Sequence, residues 1–351
     1  MRYRFGLMLN VLGAITATLL LLPAIVTGQD NATDSWTVTY TPWGDPDLQG
    51  IWSSKTTTPL ERPTEFQEQE FLTDEDVARL EGAAVKAFTE GSGATLLEER
   101  AEVGTAIDVA GAYNSVFSSR GTTVVRTRRT SLIIDPPDGQ IPYSEEGLKR
   151  LAEEMTYRKA LQAADLRTVV DMAEGPEDRP NDRCLGFVIP CLGNYCAFTR
   201  IVQTPDSVTI YYEAGHTGGA YRTIPITDRP HLPSHIRQWY GDSVGHLDGD
   251  TLVVDTTNFT DRRSVEGTST RPGFRGNGLD LHLIERFTRV DPDMILYQVT
   301  LEHPTMYSSP WTIEQPWMQA DEKENKIFES ACHEGNYGLT GILAGARNLE
   351  Q

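Results

Sequence analysis

The C-terminal half of the chain consists mainly of short runs that alternate polar and apolar residues and are separated by tight turns. From residue 197 onward these runs are AFTRIVQTP, SVTIYYEAG, AYRTIPIT, HLDGDTLVVDTTNF, LHLIERFTRV, MILYQVTLEH and KIFESACHE. A period of two is typical of strands that bury one face. Asp248-Gly249 and the VDPDM segment at 290–294 have the composition of hairpin turns. With no helical run between the strands, the pattern predicts an antiparallel meander.

A closed barrel is the expected form of this meander. Seven or more strands in series would leave two exposed edges in an open sheet, and closure removes them. The segment DLQGIW (47–52) is similar to the Gly-x-Trp that opens the first strand of lipocalin-like barrels. We therefore expect a mainly β protein, an antiparallel lipocalin-like β-barrel with a helical insertion, forming a single domain over 29–351.

Two stretches have the period of an amphipathic helix. In TDEDVARLEGAAVKAF, Thr73 is suited to cap the N-terminus and an acidic first turn follows. In SEEGLKRLAEEM, which begins at Ser144, the apolar residues share one face. The sequence predicts helical segments near 73–90 and 144–173. Between them, RGTTVVRTRRTSLIIDPPDG is predicted to form two β-runs closed by a turn.

The first 28 residues have the composition of a secretory signal peptide. Arg2 and Arg4 form a short basic start, an apolar run follows, and Val26 and Gly28 supply small residues before a cleavage site. A membrane anchor is the rival interpretation. Polar residues and a proline interrupt the run, and no basic stop-transfer cluster follows it. We expect residues 1–28 to be cleaved and the protein to be periplasmic or secreted, with no membrane association afterwards.

The charge of the chain restricts its partners. The net charge is −19, and removal of Arg2 and Arg4 with the signal peptide makes it −21. Nucleic acids and anionic membrane surfaces require basic patches, so neither is expected as a partner. The sequence also contains no Gly-rich phosphate loop or dinucleotide fingerprint, which argues against a nucleotide cofactor. The expected partner is a small molecule.

Four cysteines are expected to pair in an oxidising compartment. Cys191 and Cys196, in CLGNYC, can close a tight local loop. A Cys184–Cys332 disulfide would then tie the centre of the chain to its C-terminus. Zinc binding is the alternative, but CxxxxC is wider than the usual knuckle spacing.

Several segments together resemble one family. They are PWGDPDLQGIW, RGTTVVRTRRTSLIIDPPDG, RPHLPSHIRQWYGDSVGHLDGDTLVVDTTNF, LHLIERFTRVDPDMILYQV and ACHEGNYGL. They are similar to segments of a widespread family of exported bacterial proteins without an assigned function, over about residues 42 to 346. The resemblance implies export and no particular activity. One departure is His235, which stands where the family pattern has a small or polar residue.

The stretch RPHLPSHIRQWYGDSVGH (229–246) is the densest group of chemically active residues. Prolines hold His231 stiffly, and a strand would put Arg237 and Trp239 on one side, where they could form an aromatic wall. A proline-stiffened polar loop at a barrel rim is typical of a binding site, so we expect a pocket rim here. The structural alternative is an Arg237–Asp242 pair that only holds the loop.

A second candidate is Glu285, in LHLIERF. The alternation puts this carboxylate on the face of leucines and a phenylalanine, and His282 on the opposite face. If the apolar face lines the interior, Glu285 is buried and needs a partner. The partners that we consider are Arg237, Arg129 and His333. An inward Arg129 could alternatively recognise an anionic substrate, whereas an exposed one would pair with surface acids.

The C-terminal segment ESACHEGNYG contributes His333, Glu334 and Asn336, which can transfer protons or donate hydrogen bonds. A disulfide at Cys332 would hold them rigidly, as a site requires. The alternative is that they cap a turn.

Metal binding and nucleophilic catalysis receive weaker support. His231, His282 and His333 could converge as three ligands, but the sequence contains no HExxH, and Pro233 disfavours a helix through His231 and His235. GDSVG matches the Gly-x-Ser-x-Gly elbow only in spelling, because no helix follows it.

We therefore expect an exported acid/base enzyme of the lyase, isomerase or hydratase type, which needs no cofactor and acts on a small, largely apolar, for example aromatic, molecule. The alternatives are a lipocalin-type protein that binds a hydrophobic ligand and a metal-dependent hydrolase. The expected catalytic residues are His231, Glu285, His333 and Arg237. The expected substrate-binding residues are Trp239, Asp242, Arg129, Tyr212, His282, Glu334 and Asn336.

Overall fold

The computed structural model describes residues 36–91, 121–163, 189, 190, 192, 198–213, 220–260, 279–323 and 327. The fold belongs to the compact unit Val38–Gln351. Its strands are β1 (Gly50–Ser53), β2 (Ile133–Asp135), β3 (Phe198–Thr204), β4 (Ser207–Glu213), β5 (Ala220–Pro225), β6 (Asp242–Asp248), β7 (Thr251–Thr257), β8 (His282–Asp291), β9 (Met294–Glu302) and β10 (Trp311–Gln319). Its helices are α1 (Asp74–Gly91) and α2 (Glu145–Ala163), and a short 3-10 turn covers Thr64–Phe66.

The strands form one antiparallel sheet that rolls into a nearly closed barrel. Their order is β5-β4-β3-β1-β10-β9-β8-β7-β6, and β2 pairs with β10 beside this path. The two end strands, β5 and β6, meet where Ile226 and Gly245 form a single parallel bridge and the Thr227 amide donates to the Gly245 carbonyl at 3.0 Å. We call this junction the seam. The predicted mainly-β antiparallel barrel is confirmed.

One face of each strand fills the interior. Alternate residues of β9 are almost fully buried, and so are the inward residues of β8; they are Ile295, Tyr297, Val299, Leu301, Leu283, Glu285 and Phe287. Burial of apolar side chains is worth roughly 25 cal/mol per Å² and provides most of the driving force for closure. The predicted alternation in these two strands is confirmed.

Trp52, in the Gly-x-Trp of β1, is fully buried. Its indole N–H donates to the Leu48 carbonyl at 2.9 Å, so the polar edge of the ring is satisfied. The Arg289 guanidinium lies 5.5 Å from the ring centroid, a cation–π arrangement that joins β1 to the end of β8.

Both helices begin where the sequence predicts. The Asp76 amide donates to the Thr73 hydroxyl at 3.1 Å, and Asp76 accepts in return from the Thr73 amide at 3.1 Å. In α2 the Gly147 amide donates to the Ser144 hydroxyl at 2.9 Å. These side chains satisfy amide groups that have no partner within the helix. The predicted continuation of α2 to 173, and the predicted signal peptide, lie outside the described residues. Neither helix is long and apolar enough to cross a membrane.

Two elements differ from the expectation. β10 is not apparent in the sequence because Pro316 lies inside it, and proline lacks the N–H that a ladder needs. In the structure Pro316 lies between the part of β10 that pairs with β2 and the part that pairs with β1, so a missing donor is tolerated. The first predicted run of RGTTVVRTRRTS is not a strand. It forms a turn in which Arg128 adopts a φ of 58°.

Candidate functional site

The loop that follows β5 is held against β6 by one buried carboxylate. Arg229 donates two hydrogen bonds to Asp242, from Nη2 to Oδ1 at 2.6 Å and from Nη1 to Oδ2 at 3.2 Å. The Leu232 amide also donates to Asp242 Oδ2, at 2.9 Å. Asn258 donates to the Leu232 carbonyl at 2.7 Å. Bidentate pairs of this kind impose orientation, so the loop enters the site with a defined geometry.

Five side chains then form a continuous series that we call the histidine–carboxylate chain: Asp242, His231, Asp255, His282 and Glu302. His231 lies 3.0 Å from Asp242 Oδ2 through Nδ1 and 3.0 Å from Asp255 Oδ1 through Nε2. His282 lies 2.9 Å from the same Asp255 oxygen through Nε2 and 3.0 Å from Glu302 Oε2 through Nδ1. Each imidazole therefore lies between two carboxylates, and Asp255 joins the two rings.

The alternation of three strands explains why these side chains meet. Asp255 in β7, His282 in β8 and Glu302 in β9 occupy outward positions beside buried neighbours. His282 and Glu302 are directly opposite in the ladder. Asp255 is opposite Ile284, so it lies diagonally from His282, within reach of a long side chain. The chain therefore lies on the outer face of the barrel, rather than at the rim of an interior pocket.

The electrostatics of the chain favour its ionised state. Hydrogen bonding to Asp255, reinforced by Glu302, raises the pKa of His282 to about 9 despite partial burial. Burial alone would raise the pKa of Asp255, but the hydrogen bonds from His282 and His231 outweigh it and lower the value. At Asp242 burial is likewise outweighed, chiefly by Arg229 and the Leu232 amide, which lower the pKa to about 2. At neutral pH the chain thus contains a protonated His282 between two carboxylates.

The histidine–carboxylate chain is accessible to a solute. Side-chain exposure is 27% for His231, 29% for His282 and 39% for both Asp255 and Glu302. Asp255 Oδ2 and Glu302 Oε1 accept no hydrogen bond from a described residue, so a substrate group could reach them. A protonated imidazole beside reachable carboxylate oxygens is a set that can donate one proton and accept another.

A second charged group lies inside the barrel. Glu285 Oε1 accepts from Arg222 Nη2 at 2.7 Å and from the Tyr297 hydroxyl at 2.8 Å. Arg222 also lies 5.8 Å from the ring centroid of Tyr212. Burial raises the pKa of both tyrosines, so they remain neutral. We call these four residues the inner cluster.

Of the two arrangements that the sequence left open, the structure has the apolar face of β8 and Glu285 inside the barrel, but two of the considered partners of Glu285 are wrong. Arg222 forms the pair, and in the described structure neither Arg237 nor Arg129 contacts Glu285. The strand run AYRTIPIT contained a usable signal, because Arg222 has the same parity as the fully buried Ile224. The third considered partner, His333, lies outside the described residues.

Arg237 and Trp239 are not part of the histidine–carboxylate chain in the described structure. The considered Arg237–Asp242 pair is not formed, because Arg229 occupies Asp242. Arg237 instead donates to the carbonyls of Phe259 and Leu279 at 2.9 and 3.2 Å. Residues 236–241 do not form the expected strand: Gln238 makes an isolated parallel bridge to Phe259, and residues 239–240 form a turn.

Arg129 lies outside the barrel. It donates to Glu70 at 2.7 Å, lies 3.5 Å from Glu314 and stacks 5.0 Å from the ring centroid of Phe71. It borders a cavity of about 190 Å³ between the 57–72 segment, α1 and the 124–130 segment. The arginine is therefore neither an inward substrate ligand of the barrel nor a neighbour of the histidine–carboxylate chain.

The remaining predicted residues cannot be placed. His333, Glu334 and Asn336, and both disulfides, Cys184–Cys332 and Cys191–Cys196, lie outside the described residues, so those assignments stay predictions. Within the described ranges, no group of three or more His, Cys, Asp or Glu side chains is arranged to hold a metal ion.

Sequence reasoning did not identify three members of the site, namely Asp255, Glu302 and Arg229. Asp255 carries a weak signal, because it is the one charge in the run LVVDTT. Its proximity to His282 depends on strand register, and single-sequence patterns leave that register undefined.

Comparisons with known proteins gave no match. No protein-family model matches the sequence, and the searches of curated proteins and of solved structures found no match to it. The functional argument therefore depends on the geometry of the site.

Proposed function

We propose that the protein is an exported enzyme that catalyses proton transfer at the histidine–carboxylate chain. The expected reactions are those of a lyase, isomerase or hydratase on a small, largely apolar molecule. The observation that supports this most directly is that two partly exposed imidazoles share Asp255 Oδ1 at 3.0 and 2.9 Å.

The histidine–carboxylate chain contains more residues than are needed to hold the loop in place. Asp242 already holds the loop through Arg229 and the Leu232 amide, and Asn258 adds a further hydrogen bond. Asp255, His282 and Glu302 lie on strands that the barrel ladders already join. Exposed ion pairs of this kind contribute only about 0–1 kcal/mol to stability. A catalytic role accounts for the additional members better than stabilisation does.

The roles follow from the charge states. His282, held protonated between Asp255 and Glu302, is the general acid. Asp255 is ionised, and its Oδ2 is the proton acceptor. Because a carboxylate with a lowered pKa is a weak base, we expect it to take a proton from a C–H beside a carbonyl only while His282 donates its own proton to the carbonyl oxygen, which gives the enol. His231 orients Asp255, while Asp242 and Glu302 orient the two imidazole rings, as positioning residues.

This assignment moves the site from the barrel interior to its outer face. The inner cluster is buried, and the rings of Phe287, Tyr297 and Trp317 pack against one another beside it. Arg222 Nε and Nη1 and Glu285 Oε2 have no hydrogen-bond partner among the described residues. Because the inner cluster is shielded from solvent, we assign proton exchange to the partly exposed histidine–carboxylate chain.

Exchange of substrate hydrogen for deuterium tests the proposal even when the reaction product is unidentified. The protein would be incubated in D₂O with a panel of small aromatic and aliphatic ketones and hydroxyketones, and deuterium incorporation would be followed by mass spectrometry. We expect exchange by the wild type, with a loss of about 100-fold or more in Asp255→Asn and His282→Gln. His246→Gln, which changes an exposed histidine of β6 outside the chain, is the matched control.

Two results would overturn the proposal. One is exchange by Asp255→Asn at the wild-type rate. The other is saturable binding of panel compounds without exchange above buffer, which would assign the protein to the ligand-binding class.

A further inference from the structure

A second histidine site lies at the end of β9, apart from the chain. His303 is only 1% exposed, and neither ring nitrogen has a hydrogen-bond partner among the described residues. Its ring packs edge-on against Tyr307 at a centroid distance of 6.1 Å, and Tyr307 packs edge-on against Trp311 at 5.4 Å. An imidazole in this setting is accommodated as a neutral aromatic ring.

The backbone beside His303 is the platform for α2. The His303 carbonyl accepts from the amides of Met306 and Tyr307, both at 2.9 Å, which shapes the 303–308 turn. The Ser144 amide donates to the Met306 carbonyl at 2.9 Å, and the Ser144 hydroxyl donates to the Thr305 carbonyl at 2.6 Å. The residue that caps α2 is thus attached directly to this turn.

Close packing reinforces the attachment. A Cβ on Gly147 would collide with the Met306 carbonyl, so the first turn of α2 lies against the 303–308 turn with no space between them. Ser308 donates to the Pro142 carbonyl at 2.9 Å through its amide. Movement of the 303–308 turn must therefore disturb the start of α2.

The rest of α2 has few other attachments among the residues whose burial is described. Gly147 packs against Met306 and Leu151 against the core, while Leu148 and Met155 are 55% and 41% exposed. Isolated helices of this length are marginal in water, so the helix depends on its docked first turn.

Three ionisable side chains act on the His303 ring, Tyr307 by ring contact and the other two electrostatically. Tyr307 comes from the turn itself, Arg150 from α2, and Asp280 from the segment before β8. Asp280 is engaged with the Thr305 hydroxyl at 3.0 Å. Burial lowers the pKa of His303, Asp280 opposes this effect, and Arg150 adds to it.

We propose that His303 is a proton-operated latch for α2. The neutral ring packs under the 303–308 turn, and α2 is docked. The protonated ring carries two N–H donors, neither of which has a hydrogen-bond partner among the described residues, so it leaves the aromatic pocket for water. The 303–308 turn then loses its support, and α2 undocks while the barrel ladders remain intact. Acidification would thereby expose the apolar face of the helix, including Leu151, to a partner or to a protease.

Hydrogen–deuterium exchange of the full-length protein, resolved by peptide and corrected for intrinsic rates, tests the latch. Between about pH 7.5 and about pH 5, which spans the usual histidine range, we expect protection of 144–156 to fall by about tenfold or more. Peptides from β8 and β9 should keep their protection. In His303→Phe, which retains an aromatic ring but does not titrate, α2 should stay protected at both values, while His246→Gln should behave as wild type.

A second variant keeps the test decisive if His303→Phe does not fold. Arg150→Gln removes a cation that opposes protonation of the docked ring, so the pKa of docked His303 moves towards its undocked value and the midpoint of α2 exposure should move to lower pH. The latch is overturned if His303→Phe exposes α2 in acid as the wild type does, or if the midpoint in Arg150→Gln is unchanged. It is also overturned if α2 and the barrel strands lose protection together, because the transition would then be global unfolding.

Discussion

The inner cluster and the histidine–carboxylate chain contain the same kinds of charge in opposite surroundings. The side chains of Arg222 and Glu285 are 5% and 0% exposed, whereas those of His282 and Asp255 are 29% and 39% exposed. Arg222 and Glu285 pair mainly with each other, whereas the residues of the histidine–carboxylate chain are hydrogen-bonded one after another. Burial makes a charge pair specific to one fold and closed to solutes, whereas partial exposure leaves its protons available for exchange.

The largest effect is expected from breaking the inner pair. Glu285→Leu leaves Arg222 buried without a counter-charge, and Arg222→Met leaves Glu285 in the same condition. Each single variant should lower the free energy of unfolding by about 3–5 kcal/mol. The double variant removes both charges, and we expect it to be more stable than either single variant. Urea denaturation of the four proteins measures the coupling, and additive losses would show that the pair is not a unit.

A much smaller effect on stability is expected at the outer chain. Asp255→Asn should change the free energy of unfolding by less than about 1 kcal/mol, because the pairs that it breaks are partly exposed. The same variant should lose the proposed deuterium exchange. A destabilisation similar to that of Glu285→Leu would remove the contrast between the two regions and would indicate that the chain is structural.

The smallest expected effect is a change in the pH dependence of stability. The pKa of His282 is raised from 6.5 to about 9, so the folded protein binds this proton more tightly than the unfolded chain does. Its stabilising contribution is complete below about 6.5 and is lost as the pH rises through about 9. Thermal unfolding between these values should show a decline in Tm that is weaker in His282→Gln. An equal decline in both proteins would contradict the raised pKa.

Local patterns predicted much of the architecture. Strict alternation in LHLIERF and MILYQVT predicted two strands with one apolar face each, because a side-chain period of two leaves only two choices of inward face. Thr73 and Ser144 identified both helix starts, since capping depends on residues only three positions apart. β10 was not predicted, because a proline inside a segment argues against a strand. Pro316 is tolerated only because it lies between the part of β10 that pairs with β2 and the part that pairs with β1.

The site was less predictable for a geometric reason. His231, His282 and Asp242 were selected from residue type alone, but their mutual contacts depend on Asp255 and Glu302. Those residues come from separate strands whose register is set by the whole ladder. Arg222 shows the same limit, because a contact across the interior depends on how the barrel closes, and closure is a property of all of its strands.

The seam between β5 and β6 gives the barrel a mechanical weak point. Every other junction along the sheet is a ladder of neutral backbone groups, whereas this one has a single bridge, at Ile226 and Gly245. Ionic links cross or brace the gap: Arg229 ties the loop after β5 to Asp242 of β6, and Arg222 of β5 reaches Glu285 of β8. Two arginine–carboxylate ion pairs therefore help to keep the barrel closed at the seam. We expect tension, or acid strong enough to protonate Asp242, to open the barrel along this line before any ladder separates.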